Sequence, residues 1–260
     1  MNRVKKMIKR CCLSTVSAIL VALAFFCPAD RVAAFPIPER LEFELSYTGI
    51  SAGHAIQEVT QDGTDLHIVS TARSADWLRF FFPVDDRIES YLTSGSPPLH
   101  IGSPRLYQER KHEGRTKTNR EASFDRLKLE ATTIDHRNKT EKKQAITKRT
   151  YDTLSSFFYF RTIPLQVGAS YFIDIYDCKR LWNTEVKVLR REEIVTPLGR
   201  FKTIVIHPLL KSEGIFARTG DMFIWLTDDD RRIPVQMKSK VIVGSITATL
   251  TGGSYWPGRK

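Results

Sequence analysis

From Leu41 onward the chain alternates apolar and polar residues with a period of two, and that period decides what it can fold into. Leu41, Phe43, Leu45 and Tyr47 interleave with Glu42, Glu44 and Ser46. Successive side chains of a strand point to opposite faces of a sheet, so this run reads as a strand with one face buried. Thr48 to Gly53 is a glycine-bracketed bend, His54 to Thr60 a returning strand, and Asp62-Gly63 a tight turn before a third strand at Leu66 to Ala72. Further strands are predicted over 85–93, 104–112, 115–124, 127–135, 142–149, 170–176, 182–191, 200–207, 221–227, 233–240 and 245–251. Only Ser74 to Phe82, capped by Ser74 or Asp76 and ended by Pro83, and Leu154 to Phe160, capped by Asp152 or Thr153, read as helix. In the second, the aromatics Phe157 to Phe160 are placed to plug one end of a sheet. So many short strands with so little helix predict one all-β domain, a large antiparallel meander curled into a barrel, an open half-barrel or a sandwich.

The first 34 residues do not share this pattern. MNRVKKMIKR is basic, and Leu13 to Phe26 is an apolar run of 14 residues, shorter than the roughly 20 a spanning helix needs. Val32-Ala33-Ala34 supplies the small residues of a cleavage site. The segment reads as a signal peptide cut after Ala34, leaving residues 35–260 as the mature domain, periplasmic or secreted, with no transmembrane segment. Cys27 follows the bulky Phe25 and Phe26, which argues against lipidation there. Cys178 is then the one cysteine of the mature chain. It reads as a hairpin-tip residue; a reactive thiol activated by Lys179 and Arg180 is the alternative.

The whole chain carries a formal charge of +11. The leading segment accounts for +5 of it, with six basic residues and one acid, and Arg105 to Arg149 holds 14 Lys and Arg against seven Asp and Glu. Export makes nucleic acid an unsuitable partner. The basic stretch reads either as a solvated sheet margin that resists edge-to-edge aggregation, or as a wall for an anionic partner such as lipid headgroups, an anionic glycan or an acidic envelope protein. Its candidate contacts are Arg110, Lys117 and Arg120. A second candidate is Trp77-Leu78-Arg79-Phe80-Phe81-Phe82-Pro83, where three adjacent phenylalanines on a short turn cannot all face one core. Trp77 and Phe81 could hold an apolar tail and Arg79 an anionic head, so an amphiphile fits this stretch.

Signals for catalysis are sparse. The six histidines lie singly, without metal-ligand spacing, and no nucleophile elbow or phosphate loop occurs. Asp228-Asp229-Asp230 lacks the spaced ligands of a calcium loop and reads as a turn. A non-enzymatic protein without a cofactor is expected. The first function this supports is binding of an amphiphile or an anionic envelope component; the second is a structural or assembly factor that docks an acidic protein on the basic sheet.

Several ordered motifs resemble one bacterial family. Leu45-Ser46-Tyr47-Thr48-Gly49-Ile50-Ser51-Ala52-Gly53, Asp152 to Arg161 followed by Pro164-Leu165-Gln166-Val167-Gly168, Thr196 to Thr203, and Ile224 to Asp229 with Ile233-Pro234-Val235 are similar to the domain-of-unknown-function family 3108. The resemblance covers nearly the whole mature chain. It implies an exported, mainly β envelope protein with no established activity and no catalytic residues to carry over.

Overall fold

The computed structural model describes residues 35–93, 101–209, 221–241 and 243–257; the leading segment and the cleavage expected after Ala34 lie outside them. Eight strands run first: β1 (Glu39–Tyr47), β2 (Ile50–Asp62), β3 (Asp65–Ser74), β4 (Asp85–Thr93), β5 (Ser103–Glu113), β6 (Thr116–Asp125), β7 (Glu130–Asp135) and β8 (Thr140–Ala145). The one-turn helix α1 (Asp76–Arg79) sits between β3 and β4. After β9 (Thr150–Asp152) and helix α2 (Thr153–Thr162) come β10 (Ser170–Tyr176), β11 (Leu181–Thr196), β12 (Gly199–Pro208), β13 (Met222–Thr227), β14 (Pro234–Lys240) and β15 (Ser245–Gly253). All fifteen strands form a single sheet, all-β and meander-built, in the order β8-β7-β6-β5-β4-β3-β2-β1-β15-β14-β13-β12-β11-β10-β9. Two meanders therefore meet where β1 pairs antiparallel with β15.

Chain connectivity forces this sheet to curl. Its two edges, β8 and β9, would lie roughly 65 Å apart on a flat sheet at about 4.8 Å per strand. Only four residues separate Ala145 from Thr150, and so short a link spans at most about 18 Å. The edges must approach each other, yet no strand ladder joins them. Side chains bridge the seam instead. Arg126 donates to the carbonyls of Pro104, Thr147 and Thr150, the Lys142 ammonium donates to the Lys179 carbonyl at 2.6 Å, Thr147 Oγ1 donates to Asp174 Oδ2 at 2.7 Å, and the hydroxyls of Thr133 and Tyr176 meet at 2.8 Å. The result is an open, barrel-like sheet.

Helix α2 fills the interior. Asp152 caps it, accepting from Leu154 N and Ser155 N, while the Ser155 hydroxyl accepts from Asp152 N in a capping box. Leu154, Phe158 and Phe160 are buried against Leu66, Ile68, Leu92, Tyr107 and Phe124. A second cluster gathers Leu41, Phe43, Val205, Trp225, Val235 and Leu250 under Phe201 and Trp256. The C-terminal turn of α2 ends in a buried knot, where the Arg161 guanidinium grips both Glu39 carboxylate oxygens at 2.6 and 2.7 Å and donates to the carbonyls of Arg231 and Arg232.

Three local expectations differ from the structure. The first helix, Asp76–Arg79, is shorter than its pattern, and its N-cap is Ala75, which makes no side-chain cap; neither Ser74 nor Asp76 serves. Leu127 does not begin a strand. Asp125 Oδ1 accepts from Leu127 N and Lys128 N, which makes residues 126–129 a turn and leaves Leu127 98% exposed. The run 142–149 is not one strand: β8 stops at Ala145, and Thr150 starts the buried, parallel-paired β9.

Candidate functional site

One end of the barrel carries an apolar rim. The β1–β2 turn, the α1 segment, the β5–β6 turn and the β14–β15 turn all reach it, tied by bonds from Thr48 N to Ser245 O, Ala75 N to Ala52 O and Gly114 N to Pro83 O, each 2.8 Å. The Trp77 indole donates to Ser51 O at 3.1 Å and the Tyr47 hydroxyl to Val243 O at 2.7 Å. Ile50, Trp77, Phe80, Phe81 and Val243 are all more than half exposed, with Phe80 at 92% and Phe81 at 80%. So many large apolar groups facing water at one end form a patch rather than ordinary scatter.

Gly114 explains which phenylalanine tucks in. It has φ of +60°, which glycine adopts without strain, and a Cβ there would lie 2.6 Å from the Phe82 ring. Phe82 thus lies on the bare glycine, and Phe80 and Phe81 are left outside. Between Phe81, Phe82 and Pro83 on one wall and Glu113 to Thr116 on the other is an open cleft of ≈ 640 Å³. That is within the roughly 300–1,000 Å³ of small-molecule sites. Its cation is Arg115. Arg79 pairs with Asp76 at 3.6 Å and faces a separate cleft with Arg73, Val84 and Asp85. Trp77 and Phe81 therefore share the rim, while Arg79 is directed away from the Phe81 cleft.

The basic meander divides between two faces. Residues opposite one another in a ladder share a face; Arg110 pairs with Asn119 and Lys117 with His112, whereas Arg120 pairs with Glu109. Arg110 and Lys117 thus lie together on the outer face, where Arg110 lines a polar groove of ≈ 250 Å³ with Arg87, Glu89, Asn119 and His136 that Arg120 and Glu109 also border. Arg120 points inward, donating to Asp135 at 2.9 Å and to Glu109 at 3.4 Å, and Lys111 also pairs with Glu109. Arg105, Lys128 and Lys143 pair with Asp65, Asp125 and Glu130. Much of the positive excess seen in the sequence is neutralised within the sheet.

Asp135 is a buried carboxylate of this inner cluster and accepts four hydrogen bonds. Burial opposes its ionisation, but the N–H groups of Asn138 and Arg137 and the Arg120 guanidinium outweigh burial and hold its pKa at about 2. A carboxyl depressed from 3.8 stabilises the fold above that value and loses the effect as pH falls toward 2. Asp135→Asn is therefore expected to flatten the loss of stability between about pH 4 and pH 2, measured by urea unfolding across that range. An unchanged acid limb would contradict this.

Cys178 occupies a left-handed turn position, φ of +66°, and is buried. Burial, then the negative charge of Glu109, pushes its pKa far above the ordinary thiol value. It is a neutral thiol at physiological pH, the opposite of an activated nucleophile. In the aspartate turn, Asp228 accepts from Arg191 and Arg232, and Asp229 from Thr227 and Arg231. Those carboxylates hold the β13–β14 turn.

A family model described as "Protein of unknown function (DUF3108)" matches residues 42–251. None of the curated proteins matches. Among solved structures, the crystal structure of a beta-barrel-like protein of domain of unknown function DUF1849 from Brucella abortus is similar, with a TM-score of 0.53 at 10% identity over 84% of this chain and 97% of that one. At that identity the likeness speaks for the fold alone.

Proposed function

The chain belongs to the DUF3108 family of proteins of unknown function, and from that premise we propose that it is an exported, non-enzymatic protein of the cell envelope that binds an anionic amphiphile at its aromatic rim. The cleft between Phe81, Phe82 and Arg115 carries this reading, since it offers apolar rings and a guanidinium within one ≈ 640 Å³ space. An apolar tail would lie along Phe81 and Phe82 and an anionic head on Arg115, which supplies a charge-assisted donor pair. The rim is favoured over the interior: beside α2 the described residues Phe157, Phe160, Val186 and Met222 border a gap of ≈ 90 Å³, below the size of a small-molecule site.

Dodecanoate serves as the probe, because its carboxylate head and single apolar tail match the two halves of the cleft. Phe81→Ser/Phe82→Ser is expected to weaken dodecanoate binding about tenfold or more, since burying even part of two rings contributes on the order of 1–3 kcal/mol. Isothermal titration below the micellar concentration measures it. Phe172→Ser, which removes an equally apolar ring 56% exposed on β10, is the control and should leave the affinity unchanged. Equal losses in both variants would reduce the binding to general surface greasiness and sink the rim as a site.

A further inference from the structure

The amphiphile cleft accounts for only part of the apolar rim. A ligand lying on Phe81 and Phe82 leaves Ile50 on the β1–β2 turn, and Trp77 and Phe80 on the α1 segment, facing water. Phe80 is the most exposed of these and is absent from the cleft's lining, so neither core packing nor the proposed ligand explains it. The bonds from Ala75 N to Ala52 O and from the Trp77 indole to Ser51 O hold the two turns together. Their apolar side chains therefore form one patch at the strand ends. Covering such surface is favourable in proportion to its area.

The same end is edged with positive charge. The β5–β6 turn (114–117) and the β7–β8 turn (136–139) are neighbours across β6 and β7, and the Arg137 guanidinium joins them by donating to the Lys117 carbonyl. Together these two turns hold Arg115, Lys117, Arg137 and Lys139 and no acid, and all four cations are exposed. The acids beside α1 are matched, Asp76 by Arg79 and Asp85 by Arg73. Glu113 shares the strand parity of Glu109, on the inner side. At the far end of the barrel the turns mix the signs, with Asp125 paired to Lys128 and Asp229 to Arg231. Apolar tips and cations thus coincide at one end. Side chains standing on separate turns suit a surface that adapts to them rather than a partner of fixed shape. A bilayer with anionic headgroups is such a surface: apolar side chains enter it, tryptophan favours its boundary, and nearby cations are drawn to its charge.

We propose that this end of the barrel docks on the surface of a bilayer containing anionic lipid, with Ile50, Trp77 and Phe80 entering the boundary between headgroups and acyl chains and Lys117, Arg137 and Lys139 lying among the headgroups. The Phe81 cleft then opens where an anionic amphiphile resides. The inference rests on the amphiphile reading for that last step, and deepens it by making the bilayer the source of the ligand. Co-sedimentation of the mature protein with mixed phosphatidylglycerol and phosphatidylcholine vesicles is expected to exceed that with phosphatidylcholine alone, and to fall as salt is added. Ile50→Ser/Phe80→Ser, outside the cleft, is expected to weaken vesicle binding about tenfold or more while leaving dodecanoate affinity unchanged. Lys117→Gln/Lys139→Gln should weaken it about tenfold or more at low salt and remove much of the salt dependence. Leu127→Ser, which removes an apolar side chain 98% exposed at the far end, should change nothing. Near-UV circular dichroism of each variant checks that the fold is intact. A parent protein that ignores the anionic vesicles yet binds dodecanoate overturns the docking and leaves the cleft reading standing; vesicle binding without dodecanoate binding supports the docking and removes the cleft as a ligand site. Equal losses in Leu127→Ser and Ile50→Ser/Phe80→Ser, or pelleting without vesicles, which would assign the patch to contact between copies of the chain, would also overturn the proposal.

Discussion

Arg161→Leu is expected to lower the melting temperature by about 6–20 °C. The guanidinium is completely buried and makes two bonds to Glu39 and two to the carbonyls of Arg231 and Arg232. It also lies over the Phe35 ring at 4.2 Å, and the Tyr255 hydroxyl donates to the same Glu39 at 2.5 Å. One side chain therefore joins the first strand, the central helix, the β13–β14 turn and the C-terminal segment. Removing one partner of a buried pair leaves the other charge without compensation and costs about 3–5 kcal/mol. For a domain of this size each kcal/mol shifts the midpoint by about 2–4 °C. The double change Arg161→Leu/Glu39→Leu should recover part of the loss, because it removes the orphaned carboxylate as well. A differential scanning measurement in which the single variant melts within 2 °C of the parent would show that the knot contributes nothing.

Asp152→Ala is expected to have the next largest effect, about 3 kcal/mol. The carboxylate is fully buried, caps α2 through Leu154 N and Ser155 N, and accepts the Ser90 hydroxyl at 2.6 Å. Alanine would remove the cap, which contributes roughly 0.5–2 kcal/mol. It would also strand buried donors at about 1–3 kcal/mol each before relaxation. Asp152→Asn should be far milder. Burial raises the pKa of Asp152 despite its donors, so the charge itself is not what the site prizes; an amide oxygen can still accept from the helix, and the Ser90 hydroxyl can rotate to accept. Urea unfolding that placed both variants at the same midpoint would contradict this division between acceptor geometry and charge.

Much of this fold is written locally. The alternation from Leu41 to Tyr47 returns as β1 with Leu41 and Phe43 buried, and Asp152 caps the helix as its position before Leu154 predicts. Where tertiary contacts decide, the local pattern is silent. β9 is three residues long and entirely buried, with a parallel partner 24 positions away, so no periodicity can reveal it. Leu127 looks like a strand residue until Asp125 folds the backbone under it. The candidate site was legible in part. That three adjacent phenylalanines could not all be buried follows from helix geometry, but which ring tucks in depends on Gly114, 32 residues further on. The separation of Arg120 from Lys117 follows from strand parity, since positions an odd number apart face opposite ways. The seam was not legible, because only the curl of the sheet brings Lys142 to the Lys179 carbonyl.

The rim reading is tested most directly by native mass spectrometry of the protein released from cells without detergent, alongside Phe81→Ser/Phe82→Ser prepared identically. A one-to-one adduct with the mass of an anionic amphiphile, present on the parent and depleted on the double variant, is the predicted result. A parent protein that carries no adduct and shows no saturable dodecanoate binding, or an adduct retained equally by both proteins, would contradict it.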